Sequence, residues 1–425
     1  MKITLDFGVA GSVASKHVLV ESPFQSFPGT SAVRAACDLK GESQMTIVQK
    51  PPNRRRRTTT LAVAAALAVA APLAAGTPAL ADPNFPSPNG NTNTASIATY
   101  ADLIAELDRI ERTSRFGVDV VTLAEVGTEV ATSEQGRDLY VATVGDGPEA
   151  VWLQGRIHGN EPYGTESLLA VLKELGTNGS PDWTLLRETY TFHVIPMYNP
   201  DGSELNIRHT ILQDGSESRI DLNRDWGEDR FVAAESEAYY EYWTMIDPAF
   251  AVDIHHQGLK TEFGTGDDVT LSLGISLAPG GPTLPAIEGG AYDVLTRQMH
   301  VHVYDELAKY GNINMDRYQV GGSLEIDIKG GVVSAMMLGF DYKGLNPEGH
   351  SNPAIFFETS GNTSDGSLGQ KARGKSIHQN VLALTELLLG MATGEVQQED
   401  PERWAEIPHA PVTGYQTDDG VIPLP

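Results

Sequence analysis

The sequence predicts an α/β protein, a central sheet with helices on both faces. Three observations carry this. Between residues 98 and 394, apolar runs of strand length alternate with stretches whose apolar residues recur at helical spacing. No internal repeat breaks the alternation. Once the N-terminal 81 residues are set aside, 344 remain, enough for one large domain with a well-buried core.

The first element, "TYADLIAELDRI", opens with a capping box, Thr99 with Asp102, and its apolar positions Leu103, Ile104, Leu107 and Ile110 fall at helical spacing. "VDVVTLAEV", "DLYVATVG" and "AVWLQGRI" read as strands. A helix runs through "TESLLAVLKELG", ended by Gly176. "TYTFHVIPM" is a strand, "VAAESEAYYEYWTMI" a helix and "FAVDIHH" a strand. "TLPAIEGGAYDVLTRQMHVHVYDELAKYG" is mostly helical, "AIFFETSG" is a strand, and "SIHQNVLALTELLLGMATG" is an amphipathic helix closed by Gly394. Residues 395–425 are acidic and Pro-rich and read as a tail.

The N-terminus reads as an export signal. Residues 45–81 hold Arg54 to Arg57, an apolar core from Leu61 to Ala75 and the small-x-small triplet Ala79-Leu80-Ala81, so cleavage is expected before Asp82. The core is 15 residues long, short of the roughly 20 a membrane-spanning helix needs. Export by the general or the twin-arginine route fits, and the mature protein is expected outside the cell as a monomer. Residues 1–44 precede Met45 without clear periodicity and read as an extension; residues 82–97 are a Pro/Asn/Ser-rich linker. Cys37 is the single cysteine and falls in that extension, so a mature chain from Asp82 has no disulfide. Residues 1–81 hold 9 of the 30 basic and 4 of the 56 acidic residues, leaving 21 against 52 and a net charge of -31. Such a surface repels nucleic acid and anionic lipid.

Chemistry concentrates where strands end. "GRIHGNEPYG" places His158 and Glu161 between a strand and a helix, and in α/β sheets ligands bind at the carboxyl ends of strands. "AVDIHHQG" ends another strand, so His255 reaches the same sheet edge while His256 points away. Asn199-Pro200-Asp201-Gly202 is a turn by composition, and "IDLNRDW" gathers Asp221, Asn223 and Arg224. Glu358 lies inside the apolar strand "AIFFETSGN", where a carboxylate is costly unless paired or functional.

In this order, "SEQGRDLYVATVG", "HGNE", "NPDG", "DLNRDW", "DIHH" and "FFETSG" resemble the zinc carboxypeptidase family typified by carboxypeptidase A, over residues 98–394. The resemblance implies that family's fold, a mixed, mostly parallel sheet of phosphorylase/hydrolase-like type. It implies one Zn²⁺ per chain on His158, Glu161 and His255, and a peptide or protein substrate with a free C-terminus. Glu358 takes the place of the general base, and Arg208 that of the arginine facing the scissile carbonyl. Asn223 and Arg224 match the pair that grips the terminal carboxylate, and Asp221 the carboxylate that orients the first histidine. Tyr342, 16 residues before Glu358, is the choice for the tyrosine that closes over substrate, with Tyr318 further back. Lys329 or Lys343 in the side-chain pocket would favour acidic residues, but a lysine of either kind is more often a solvated surface residue. The implied function is a secreted metallocarboxypeptidase. A related zinc amidase acting on cell-wall peptides or acylated amino acids is the alternative. A non-catalytic binding protein is disfavoured, because Glu358 is retained with all three ligands.

Overall fold

The computed structural model describes residues 97–227, 231–281, 287–361 and 370–424. The expected extension, the signal peptide and the linker up to residue 96 lie outside the described residues.

From the N-terminus, α1 (Tyr100–Thr113) leads to β1 (Asp119–Thr122), a single helical turn α2 (Leu123–Val126), β2 (Tyr140–Val144) and β3 (Glu149–Gly155). Helices α3 (Tyr163–Thr177) and α4 (Pro181–Thr189) precede β4 (Tyr190–Ile195) and α5 (Pro200–Leu205). The short strands β5 (Thr210–Ile211) and β6 (Arg219–Ile220), helix α6 (Ala234–Ile246) and β7 (Phe250–Gln257) come next. They are followed by β8 (Leu271–Gly274), α7 (Ala291–Ala308), β9 (Met315–Arg317), β10 (Leu324–Ile326), α8 (Val332–Leu338), β11 (Ala354–Ser360) and α9 (Gln370–Thr393). Strands β12 (Gly414–Thr417) and β13 (Gly420–Pro423) close the series.

Eight strands form the main sheet in the order β1-β2-β4-β3-β7-β11-β8-β9. Its centre, β4-β3-β7-β11, is parallel, while β1, β2 and β8 are joined by antiparallel pairings. Side chains alternate across this sheet and feed two cores. One face offers Val151, Leu153, Val252, Ile254, Ile355 and Phe357 to Leu103 and Leu107 of α1, Leu168 and Leu172 of α3, Met299 of α7 and Leu384 of α9. The other offers Trp152, Ala251, Ala354 and Phe356 to Tyr239, Tyr240 and Trp243 of α6 and to Met336 of α8. Each fully buried side chain of this size contributes about 1.5–3 kcal/mol. The expected layering, helices on both faces, is what forms.

The capping box at α1 is present: Asp102 N–H donates to Thr99 Oγ1 at 3.1 Å, and Thr99 N–H to the Asp102 carboxylate at 3.0 Å. A second box explains a departure from expectation. "VDVVTLAEV" starts as a strand, but the Glu125 carboxylate accepts the Thr122 N–H at 2.8 Å and turns the chain into α2, which ends at Gly127 with φ 94°.

The expected C-terminal tail is a correction. Val396, Trp404 and Ile407 are buried in the first core, with Trp404 stacked on His300 at 5.6 Å. Strand β12 pairs in parallel with β10, and β13 folds back on β12. Proline and acid content signal a solvated segment, but the three apolar anchors outweigh it. Among the described residues no helix is long and apolar enough to cross a membrane.

A buried acid sets the pH response of the second core's edge. Glu235 is fully buried, and burial, then the nearby Asp201 charge, pushes its pKa from the ordinary 4.5 up to about 8. The unfolded chain ionises this group near 4.5, so between about pH 5 and 8 the folded state holds the extra proton and stability falls as pH rises. Urea midpoints at pH 5 and pH 8 should therefore differ less in Glu235→Gln than in the wild type; equal differences in the two proteins would refute this assignment.

Candidate metal centre

The site starts at a backbone bend. Strand β3 ends at Gly155, Arg156 turns the chain with φ 58°, and His158 and Glu161 follow before α3. A Cβ on Gly159 would lie 2.0 Å from the carbonyl carbon of Gly202, so the two loops meet where neither can carry a side chain. The segment expected as a plain turn at 199–202 is the cap and first turn of α5. Asn199 Oδ1 accepts the Gly202 N–H at 2.7 Å, and its Nδ2 donates to the Ile157 carbonyl at 3.2 Å. Asp201 in turn accepts from Ser133 Oγ at 2.8 Å and the Gln135 N–H at 2.8 Å, which ties the "SEQGR" segment to the same loop.

His158, Glu161 and His255 come together, all buried, with their ligand atoms within 4.8 Å of one another. Both histidines turn Nδ1 inward: the two Nδ1 atoms are 3.2 Å apart, His158 Nδ1 is 2.8 Å from Glu161 Oε1, and His255 Nδ1 is 3.1 Å from Glu161 Oε2. Both turn Nε2 outward to a carboxylate, His158 to Asp221 Oδ1 at 3.2 Å and His255 to Asp253 Oδ2 at 2.8 Å. These carboxylates draw the ring proton to Nε2 and leave lone pairs on both Nδ1 atoms, converging with a carboxylate. A cation resolves that crowding, and two imidazoles with one carboxylate are a donor set that zinc takes while keeping a position open. Among the described residues this is the one cluster of its kind.

The buried ionisable groups act strongly on one another. Burial opposes ionisation of Glu161, yet His158 and His255 hold its pKa well below the ordinary carboxylate range. Burial also opposes the charging of His255, yet Asp253 and then Glu161 raise its pKa well above the ordinary value. His256 points to the other face as expected: its Nε2 accepts the Tyr163 N–H at 3.0 Å at the start of α3, and burial pushes its pKa down to about 3.

Glu358 stands opposite His255 in the parallel register of β11 on β7. Its Oε2 is buried without a hydrogen-bond partner among the described residues. Burial, with Glu161 adding and His255 and His158 opposing, pushes its pKa up to about 7. Arg208 donates from Nε to Asp221 Oδ2 at 2.9 Å, so Asp221 holds both this guanidinium and His158. Asn223 Oδ1 accepts the Val332 N–H at 3.0 Å, and Arg224, exposed, donates to the Asn223 carbonyl at 2.5 Å. All these side chains except Asp221 line one cavity of about 320 Å³.

Tyr342 is not there. Its ring packs edge-on against Phe231 at 4.6 Å and lies near Tyr240 in an aromatic cluster away from the cavity. Tyr318 lines the cavity instead, edge-on to Phe356 at 5.3 Å, its pKa raised by burial and then by Glu358 and Glu161. Proximity in sequence to Glu358 misleads, because the segment just after β9, with Tyr318 and Val320, and not the 340s loop borders the site. Sequence reasoning also misses Asp253, although its place two residues before His255 puts both on one strand face. Gln416, in the expected tail, lines the cavity as well.

Because the outward carboxylates fix both rings, Asp253→Ala and Asp221→Ala should each weaken zinc affinity by about 10- to 100-fold, as loss of a histidine's orienting partner does. Competition with a chromogenic chelator measures this without any assay of activity. Unchanged affinity in Asp253→Ala would show that this carboxylate merely fills space.

Comparison with known proteins agrees with this geometry. Residues 119–242 match the model of the family described as zinc carboxypeptidase. Carboxypeptidase 2 of Trichophyton tonsurans is 33% identical over 120 residues, 28% of this chain and 20% of that protein. Carboxypeptidase E of Caenorhabditis elegans is 32% identical over 124 residues, 25% of each. The chain thus spans about a fifth to a quarter of the length of these curated relatives. The crystal structure of carboxypeptidase A from Helicoverpa armigera shares the fold, with a TM-score of 0.51 and 17% identity over 71% of this chain and 75% of that one. Over residues 119–242 the chain is thus similar to the zinc carboxypeptidase family, and the shared fold and the convergent His-Glu-His cluster fit that likeness.

Proposed function

We propose that the protein is an exported metallocarboxypeptidase, with one zinc per chain, that removes the C-terminal residue of peptides. The observation that carries this is one cavity lined by the three convergent ligands, the unpartnered buried Glu358 and the Asn223–Arg224 pair. His158, Glu161 and His255 would hold the metal, which when bound polarises the carbonyl and lowers a water's pKa from 15.7 toward about 7. Glu358 accepts a proton from the attacking water and passes it to the leaving amine; its free Oε2 suits both transfers. Arg208, aimed by Asp221, opposes the charge that develops on the carbonyl oxygen. Arg224 with Asn223 takes the substrate's terminal carboxylate, for which a guanidinium fork is well shaped. The acidic chain keeps these cations as a local exception on a repelling surface, which draws a carboxylate to the site. Export rests on the arginines and apolar core of residues 45–81, and N-terminal sequencing of material from the medium should start at or near Asp82.

A zinc amidase is the second reading, because cell-wall peptides also end in a carboxylate. One kinetic panel separates the readings. The zinc-loaded wild type should cleave the terminal bond of a free-acid peptide and reject its C-terminal amide. Arg224→Ala should lower kcat/KM on the free acid by roughly 10- to 100-fold, the low end for losing a charge partner because this side chain is exposed. Glu358→Gln should lower kcat by at least about 100-fold while zinc stays bound. Equal losses on acid and amide in Arg224→Ala would move the function to the amidase, and loss of zinc in Glu358→Gln would make Glu358 a ligand.

A further inference from the structure

An exopeptidase must house the side chain of the residue it releases, and the assignment of that pocket rests on the exopeptidase reading. Beyond Asn223 and Arg224, the cavity wall is made by Ser276, Ile326, Lys329, Ser334 and Gln416. Lys329 sits between β10 and α8, and its own N–H donates to Ser334 Oγ at 3.3 Å. Its neighbours are pinned from three sides. Ile328, at φ 48°, donates its N–H to the Ser276 carbonyl at 2.8 Å, Asp327 donates its N–H to the Gln416 carbonyl at 3.0 Å, and Gly330 N–H donates to the Asp418 carboxylate. The backbone is thus fixed while the Lys329 side chain is half-buried at the cavity.

The charges at this wall do not balance internally. Of the cations lining the cavity, Arg208 is held by Asp221, and Arg224 is set against the Asn223 carbonyl. The carboxylates lining it, Glu161 and Glu358, face the histidine cluster. Among the described residues no carboxylate lies within 4.0 Å of the Lys329 ammonium, in a chain with 56 acidic and 30 basic residues. Lys343 is spent differently, paired with Glu237 outside the cavity. An ammonium among hydroxyls, an amide and aliphatic groups leaves a positive potential for the ligand to match.

We propose that this pocket selects a C-terminal residue with a carboxylate side chain, glutamate or aspartate, with Lys329 as the specificity-determining residue. The substrate class is then a peptide that ends in two carboxylates, one for Arg224 and one for Lys329.

The test uses the zinc-loaded full chain and peptides that differ only in a final Glu, Gln or Leu. The wild type should prefer Glu over Gln by about 10-fold in kcat/KM at low salt, with the preference shrinking as ionic strength rises. Lys329→Met should bring the Glu:Gln ratio near 1, and Lys329→Arg should keep it above 1. The ratio is internal to each protein, so a partly unfolded variant does not distort it. Calorimetric binding of free L-glutamate and L-glutamine supplies a readout without catalysis and should show the same order. A wild-type ratio near 1 in both measurements, or a ratio unmoved by Lys329→Met, overturns the inference. Preferential glutamate binding that vanishes in Lys329→Met, with no peptide cleaved, supports the pocket assignment and sinks the exopeptidase reading instead.

Discussion

The parallel register of three buried strands is the constraint on which the site depends. Gln154 of β3 pairs with Asp253 of β7, and His255 of β7 pairs with Glu358 of β11. The side-chain period of a strand is two, so a slip of one residue would carry His255 and Glu358 to the opposite face, among the leucines of α3 and α9. What prevents the slip is the apolar alternation itself: Val252, Ile254, Ile355 and Phe357 fit one core, and Ala251, Ala354 and Phe356 the other. The chemistry is therefore aligned by apolar residues, of which Phe356 also lines the cavity.

Around that register the polar groups form two chains of orientation. One runs from Arg208 through Asp221 to His158, the other from Trp152 Nε1 to Gln154 at 2.7 Å, from Gln154 Nε2 to Asp253 at 2.8 Å, and on to His255. Each ends on an outward Nε2 and presents an inward Nδ1. Buried polar groups of this kind are costly when half-satisfied; each link named here pairs a polar group, while Asp253 Oδ1 is buried without a hydrogen-bond partner among the described residues. The two histidines are thus presented alike, although one comes from a loop and the other from a strand.

Much of this is legible in the sequence, because the informative residues sit at strand ends with distinctive neighbours. Strand ends put His158, Glu161 and His255 at one sheet edge, Glu358 stands out as a carboxylate in an apolar strand, and the resemblance carried by the ordered motifs adds Arg208, Asp221, Asn223 and Arg224. The physical reason for that order is visible in the contact of Gly159 with Gly202 and in Asp201 holding the "SEQGR" segment: the motifs are parts of one interlocked loop system. Tyr342 fails because distance along the chain says little about which loop folds over a cavity. The residues from 395 onward mislead because proline and acid content mask three buried anchors. Asp253 is readable as the i−2 partner of His255, on strand periodicity alone. Lys329 is readable as a lysine and nothing more, since its role depends on the path of the connection after β10.

The wall that contains Gln416 has a consequence for the order in which the molecule comes into being. A chain that emerges N-terminus first has its convergent histidines and glutamate once His255 is out, but Gln416 appears 161 positions later. At ordinary synthesis rates that interval is on the order of 10 s. Pairing β12 with β10 also closes a loop of some 90 positions, a slow kind of contact to make. The nascent protein therefore passes through a stage in which the residues of the His-Glu-His cluster are all present while the cleft beside them still lacks the side that Gln416 provides.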